Sequence, residues 1–226
     1  MLVSEWQDQL HIQYQGDVET PAEGVDDWEV RLGLLLDSIN AWETADKHIM
    51  WLELWTTLAD AVDGTKTTDG IALRFAAPTN FKIAGGFVRL INGTEVTYYK
   101  ILRPEQIDNA RQNGGNVCYF TGNKRSGFYV NFFSIPAAGL TIDYPYYKYA
   151  FQPTAGTDII EMPDPYFGIK YALSKLHELD GEGDRATLAL SLANAKLNAM
   201  ISNNETPVHG QDTSVPDNTD DQGGFG

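Results

Sequence analysis

The chain has 226 residues, 42% of them hydrophobic and 12% aromatic, which suffices for one large packed domain or two small ones. Its net charge of −15 argues against a sequence-independent DNA binder, because neutralising phosphates needs a cationic face. The single cysteine, Cys118, excludes an internal disulfide framework or a four-cysteine zinc cluster, and between Val117 and Tyr119 it reads as a buried thiol inside a strand.

Residues 1–25 lack a clear period and are punctuated by Thr20-Pro21 and Glu23-Gly24, so they read as an extended or partly helical arm lying on something. From Asp26 the pattern turns helical. Trp28, Leu32, Leu35, Ile39 and Trp42 share one face of a helix over 26–44, capped by Asp26 or Asp27, with Glu29, Arg31, Asp37 and Asn40 on its polar face. Met50 to Leu58 alternates and predicts a strand, although the same run can also wind as a helix. A polar loop then leads to a strand from Ile71 to Ala76, stopped by Pro78.

Phe87–Ile91, Asn92-Gly93 and Thr94–Leu102 form the clearest hairpin signal, since Asn-Gly supplies the positive φ of a two-residue turn. Pro104 opens a short helix, Glu105–Arg111, and Gly114-Gly115 releases the chain into a strand over 116–121. A second hairpin turns at Gly122–Gly127 and returns through Phe128–Phe133, and a further strand runs from Leu140 to about Ala150, made an edge or bulged strand by Pro145. Met162-Pro163-Asp164-Pro165 starts a helix that buries Tyr166, Ile169, Leu173 and Leu176 and breaks near Asp180 at Gly181 and Gly183. The last helix, Asp184 to about Ser202, caps on Asp184 and places Leu188, Leu192, Ala195 and Ala199 on its core stripe, widened by Leu190, Leu197 and Ile201. The expected class is α+β: a helical body of one N-terminal and two C-terminal helices over 26–202 (about 26–44, 164–180 and 184–202), with a β-hairpin-rich insertion at about 50–150. An N-terminal arm (1–25) and an extended C-terminal tail (203–226) flank it.

That tail carries no Lys or Arg, five acids and one aromatic, Phe225. So few apolar side chains do not offset the entropy of ordering, about 1–2 kcal/mol per residue, so the tail is expected to be held by a neighbouring chain. Charge is uneven: residues 66–125 hold nine bases and four acids, while the segments on either side are strongly acidic. Lys124 and Arg125 at a hairpin tip, with Arg103 and Arg111, make a positive rim for DNA or an acidic neighbour.

Catalytic and metal signatures are missing. His11, His48, His177 and His209 are scattered, Thr121–Ser126 lacks the first glycine of a phosphate loop, and the acidic runs at Asp180–Asp184 and Asp217–Asp221 lack the pattern of a calcium loop. No cofactor, metal or enzyme activity is therefore expected. Tyr144, Tyr146, Tyr147 and Tyr149, near Phe128, Tyr129, Phe132 and Phe133, fit a sheet core and subunit interface, or else a platform for a sugar or receptor. No run approaches the roughly 18 apolar residues of a membrane span, and the first residues show neither the basic start nor the apolar run of a signal peptide, so cytoplasm-like solution is expected.

The order of these features resembles the head-to-tail adaptor (head completion) proteins of tailed bacteriophages, including the gatekeeper-type adaptors of short-tailed phages. The resemblance spans residues 26–202. It is carried by Asp27–Leu32 through Asp37–Trp42, Ile49–Leu52, the Arg103–Asp108 helix between hairpins, Asp143–Tyr147 and the helix entry Ile160–Tyr166. It implies a structural virion protein in the neck, assembled in the host cytoplasm as a ring, usually of twelve copies, between the portal and the tail or stopper protein. DNA would pass through the lumen without sequence-specific binding. It further implies that the C-terminal segment, with Pro207, Val208, His209, Val215 and Phe225, reaches into the portal, while Trp28, Trp42 and Tyr166 serve subunit packing.

Overall fold

A computed structural model describes residues 1–16, 20–45, 50–61, 74–113, 115–133 and 140–204. In chain order the elements are α1 (Val3–Gln15), α2 (Asp26–Glu43), β1 (Trp55–Ala61), β2 (Arg74–Ala76), β3 (Phe81–Ala84), β4 (Phe87–Asn92), β5 (Glu95–Ile101) and α3 (Ile107–Asn113). β6 (Val117–Asn123), β7 (Gly127–Phe132), β8 (Thr141–Lys148), α4 (Pro165–Leu179) and α5 (Gly183–Asn204) complete them. The chain divides into two compact units: a helical one, Met1–Leu54 with the chain from Ala150 through α5, and a sheet unit, Trp55–Tyr149, inserted between them in sequence.

In the helical unit, the five positions singled out by the helical period in α2 are all buried. The cap differs from expectation: Val25 takes the N-cap position without a side-chain bond, and Asp26 and Asp27 sit one and two residues further in, where their charges still favour the positive helix end. Arg31 leaves the polar face altogether. It is buried against α1, its guanidinium donating to His11 Nδ1 at 2.9 Å, and desolvation lowers its pKa.

Residues 3–15 are not extended. α1 buries Val3, Trp6 and Leu10 fully, and Gly16 ends it in the left-handed region at φ 74°. Trp6 Nε1 donates to the Pro165 carbonyl at 3.2 Å, so α1 is tied to the start of α4. The helices meet at Gly168, where an added Cβ would lie 2.8 Å from Ser38 Oγ and 3.2 Å from Trp6 Nε1; a side chain there would push α1, α2 and α4 apart. After α2, Met50 to Leu54 does not alternate as a strand. Leu52–Leu54 is a 3₁₀ turn in which Trp51 and Leu54 are buried and Met50 and Leu52 exposed, so the two inward residues stand three apart.

The sheet unit has eight strands among the described residues, in the order β1-β8-β4-β5-β6-β7-β2, with β3 also on β8. The Asn92-Gly93 hairpin forms, but Asn92 pairs with Glu95, so the loop is Gly93-Thr94 and Gly93 alone takes positive φ. The second hairpin pairs Asn123 with Gly127 around Lys124-Arg125-Ser126. Neighbours are antiparallel except β5 and β6, which run parallel for two pairs, Lys100↔Val117 and Ile101↔Cys118. The sheet curls: Phe81 of β3 stacks on Phe120 of β6 at 5.0 Å between ring centres and meets Phe128 of β7 at 5.2 Å.

β8 is central rather than an edge. It pairs with β1 from Trp55↔Tyr147 to Ala61↔Thr141 and, on its other flank, with β3 and β4. Pro145 is tolerated because that flank is interrupted where β3 ends and β4 has not begun. A residue's N–H and C=O point to the same side of a strand, and the Pro145 carbonyl accepts from Gly85 in the β3–β4 link at 2.8 Å. The missing N–H thus falls at the break in the ladder.

Candidate assembly surfaces

α4 and α5 form an antiparallel pair joined at Gly181, which takes φ 76°. α4 opens on Pro165 with Asp164 as cap, its side chain accepting from Tyr166 N at 3.0 Å, and it buries Phe167, Ile169, Ala172, Leu173 and Leu176. α5 behaves differently from its sequence pattern. Its buried residues are Ala189, Ala193 and Met200, whereas Leu188, Leu192, Ala195 and Ala199 are exposed. At about 100° per residue the expected stripe lies roughly a third of a turn from the face that packs. The packed face is the one with small residues, and Ala189 and Ala193 let the helix backbones approach where leucines would hold them apart.

The result is a helix with one apolar face satisfied by its own chain and a second left open among the described residues. On that face Leu188 is 63% exposed and Leu192 45%; Leu190, about half a turn round the helix, is 41% exposed, and Leu179 at the end of α4 is 77% exposed. Single exposed leucines need no explanation, but a helical row of them is the usual mark of a protein contact.

Of the three residues expected at subunit contacts, Trp28 and Trp42 are buried inside the helical unit of their own chain. Trp42 lies 5.3 Å from Trp51 between ring centres, and Trp51 Nε1 donates to the Trp42 carbonyl. Tyr166, which the sequence pattern would bury, is 42% exposed, because the helix turns Phe167 inward instead. Its ring lies under the Lys196 amine, 5.4 Å away, and that amine is bonded to Asp164 at 2.8 Å.

The positive rim divides. Arg103 is exposed before α3, and Lys124 and Arg125 are exposed at the β6–β7 turn, where Asn123 Oδ1 accepts from the Arg125 and Ser126 N–H groups at 2.9 Å each. Arg111 falls in α3, with its side chain outside the described residues. Pro207, Val208, His209, Val215 and Phe225 also lie outside them.

The tyrosines do not make an outward platform. Tyr144 and Tyr146 point into the sheet core against Phe81, and Tyr147 packs edge-on against Trp55 at 4.7 Å. Burial raises the pKa of Tyr146 and Tyr147 and pushes the Cys118 thiol up to about 12, a structural cysteine rather than a nucleophile.

One cluster escaped sequence reasoning, because only the fold brings its parts together. His177 Nδ1 stands 2.8 Å from Glu182, Arg185 donates to the same carboxylate at 3.1 Å, and Tyr14 of α1 donates to Asp180 at 2.6 Å. The hydrogen bond to Asp180, followed by burial, holds the Tyr14 phenol up at about 12. With its acids taken by Tyr14 and Arg185, the cluster ties the end of α1 to the α4–α5 turn.

A family model described as SU10 adaptor protein matches residues 7–218. The chain belongs to the SU10 adaptor family. As a member it is a phage adaptor, a structural component of the virion that interacts with other head and tail proteins. No curated protein matches the chain. None of the described helices of this adaptor is long and apolar enough to cross a membrane.

Proposed function

We propose that this adaptor works as a head-to-tail connector, a gatekeeper-type head completion protein whose copies close into a ring, twelve-fold by resemblance, between portal and tail. The observation that carries this reading is the open apolar row on α5, Leu188, Leu192, Ala195 and Ala199, which has no cover among the described residues. A closed ring repeats one contact around an axis and buries such a row in every subunit. Tyr166 and Lys196 extend the same surface onto α4.

The role is mechanical. The C-terminal segment with Pro207, Val208, His209, Val215 and Phe225 engages the portal, Arg103, Arg111, Lys124 and Arg125 meet an acidic neighbour or DNA at the rim, and the overall charge of −15 leaves DNA mobile in the lumen. The tail or stopper protein docks on the opposite side, and assembly takes place in the host cytoplasm. A sugar-binding role draws no support, since Tyr144 and Tyr146 are committed to the sheet core.

The test is the mass of the purified protein, by light scattering or native mass spectrometry, alone and with portal protein. A closed particle of about a dozen copies is expected. Leu188→Glu with Leu192→Glu should abolish it while leaving the melting temperature of the subunit essentially unchanged, because both side chains are exposed. Monomers under every condition, or assembly indifferent to the two glutamates, would sink the reading. Ending the chain at Asn203 should weaken portal binding without preventing ring closure.

A further inference from the structure

The leucine row of α5 has a counterpart across the same helix. A groove of about 320 Å³ runs between α4 and α5, walled by Ser174, Lys175 and Glu178 on one side and by Gly183, Ala186 and Leu190 on the other. Ala186 and Leu190 stand about half a turn round α5 from Leu188 and Leu192, so row and groove lie on opposite flanks of one helix. The groove suits an apolar occupant, because its polar groups are already satisfied. Ser174 Oγ donates to the Tyr171 carbonyl at 2.7 Å, and Thr187 Oγ1, also on the groove wall, donates to the Gly183 carbonyl at 2.9 Å. Lys175 Nζ stands 3.1 Å from the Glu178 carboxylate, so the two ions at the lip neutralise each other. A leucine side chain seated between the helices strands none of these donors and acceptors.

Charge decides what brings that leucine. The chain carries −15, so two copies repel wherever acids face acids. Row and groove avoid this: the ten residues from Ala186 to Ala195 hold no charge, and the ion pair at the lip sums to zero. A neutral apolar ridge on one flank and a neutral slot on the other are the two halves of a heterologous contact, the kind that closes into rings, whereas a row set against another row uses one surface twice and stops at a dimer.

We infer that this groove receives Leu188 and Leu192 of a second copy, an assignment that rests on the ring reading and names the surface on which the row closes. Each subunit then gives its row to one neighbour and its groove to the other.

The test mixes two full-length variants, Leu188→Cys and Glu178→Cys, both at exposed positions, lets them assemble and treats them with a short thiol cross-linker. Native mass spectrometry of the untreated mixture reports ring closure separately. Cys118 stays unreactive because it is buried. The mixture should give at least about tenfold more covalent dimer than either variant alone, since every contact joins one row to one groove. A chain carrying both substitutions should give a ladder of covalent species that stops at the ring number. Either variant cross-linking to itself would overturn the inference in favour of a two-fold contact. Closed particles without covalent dimer would overturn it and leave the ring standing, whereas monomers throughout would remove both.

Discussion

Trp6 decides whether the first helix is part of the folded unit or an appendage. Its side chain is fully buried, its indole N–H is bonded to the Pro165 carbonyl at 3.2 Å, and it stands beside the glycine that lets α4 approach. Trp6→Ala removes the largest side chain from the α1–α4 contact and leaves a cavity that rigid helices cannot close, for an expected loss of about 3–5 kcal/mol. At about 2–4 °C per kcal/mol for a chain of this size, that is a fall of roughly 6–20 °C in the melting temperature of the helical unit. Trp6→Phe keeps most of the apolar volume and loses the hydrogen bond, so it should cost less than half as much. Urea unfolding followed by helical circular dichroism measures both. A loss below about 1 kcal/mol for Trp6→Ala would refute the reasoning, since that is the range of substitutions outside a core.

Gly122→Ala should cost at least about 1–3 kcal/mol: the residue is at φ 107°, and a Cβ would sit 2.0 Å from the Gly127 carbonyl across the hairpin, so a stability unchanged in thermal unfolding would contradict the turn described. Cys118, with its thiol pushed up to about 12, should resist a thiol reagent near pH 8 in the native protein and react fully in denaturant; rapid native labelling would place it outside the core. Tyr14 favours its protonated form in the folded chain, so its contribution is whole below its ordinary pKa near 10 and fades as pH rises toward about 12. The stability gap between the wild type and Tyr14→Phe should therefore be constant up to about pH 10 and shrink above it, and a gap independent of pH would remove the Asp180 bond from the account.

The legible parts of the sequence were those where one local rule dominates. The α2 period, the Asn-Gly hairpin, Pro165 at the start of α4 and the glycine break after Asp180 each follow from backbone chemistry within a few residues. α1 was obscured because its buried face mixes Val3, Trp6 and Leu10 with Gln7 and His11, polar groups that find partners in α2: Gln7 on the Trp28 carbonyl and His11 on Arg31. Pro145 misled as to an edge but not as to irregularity: β8 is paired on both flanks, and its ladder with β3 shifts register between Phe81 and Ile83. α5 misled most usefully. Its leucine stripe is the stronger hydrophobic signal, yet close helix packing favoured the alanines, and what composition assigned to the core became the open surface. The His177–Glu182–Tyr14 contacts join α1 to residues about 160 positions later, beyond the reach of any spacing rule.

The helical unit is interrupted by the whole sheet, and this sets a timetable for synthesis. α1 and α2 emerge first, but the helix they pack against, α4, begins only at Pro165. At roughly 5–20 residues per second, the ribosome needs about 6–25 s to travel from the end of α2 to that point. Until then Trp6 lacks its Pro165 partner, and β1 likewise waits for β8 to be made. A nascent chain broken off anywhere in the insertion therefore yields neither unit complete. Such fragments are matter for proteases rather than defective rivals for a place in the virion.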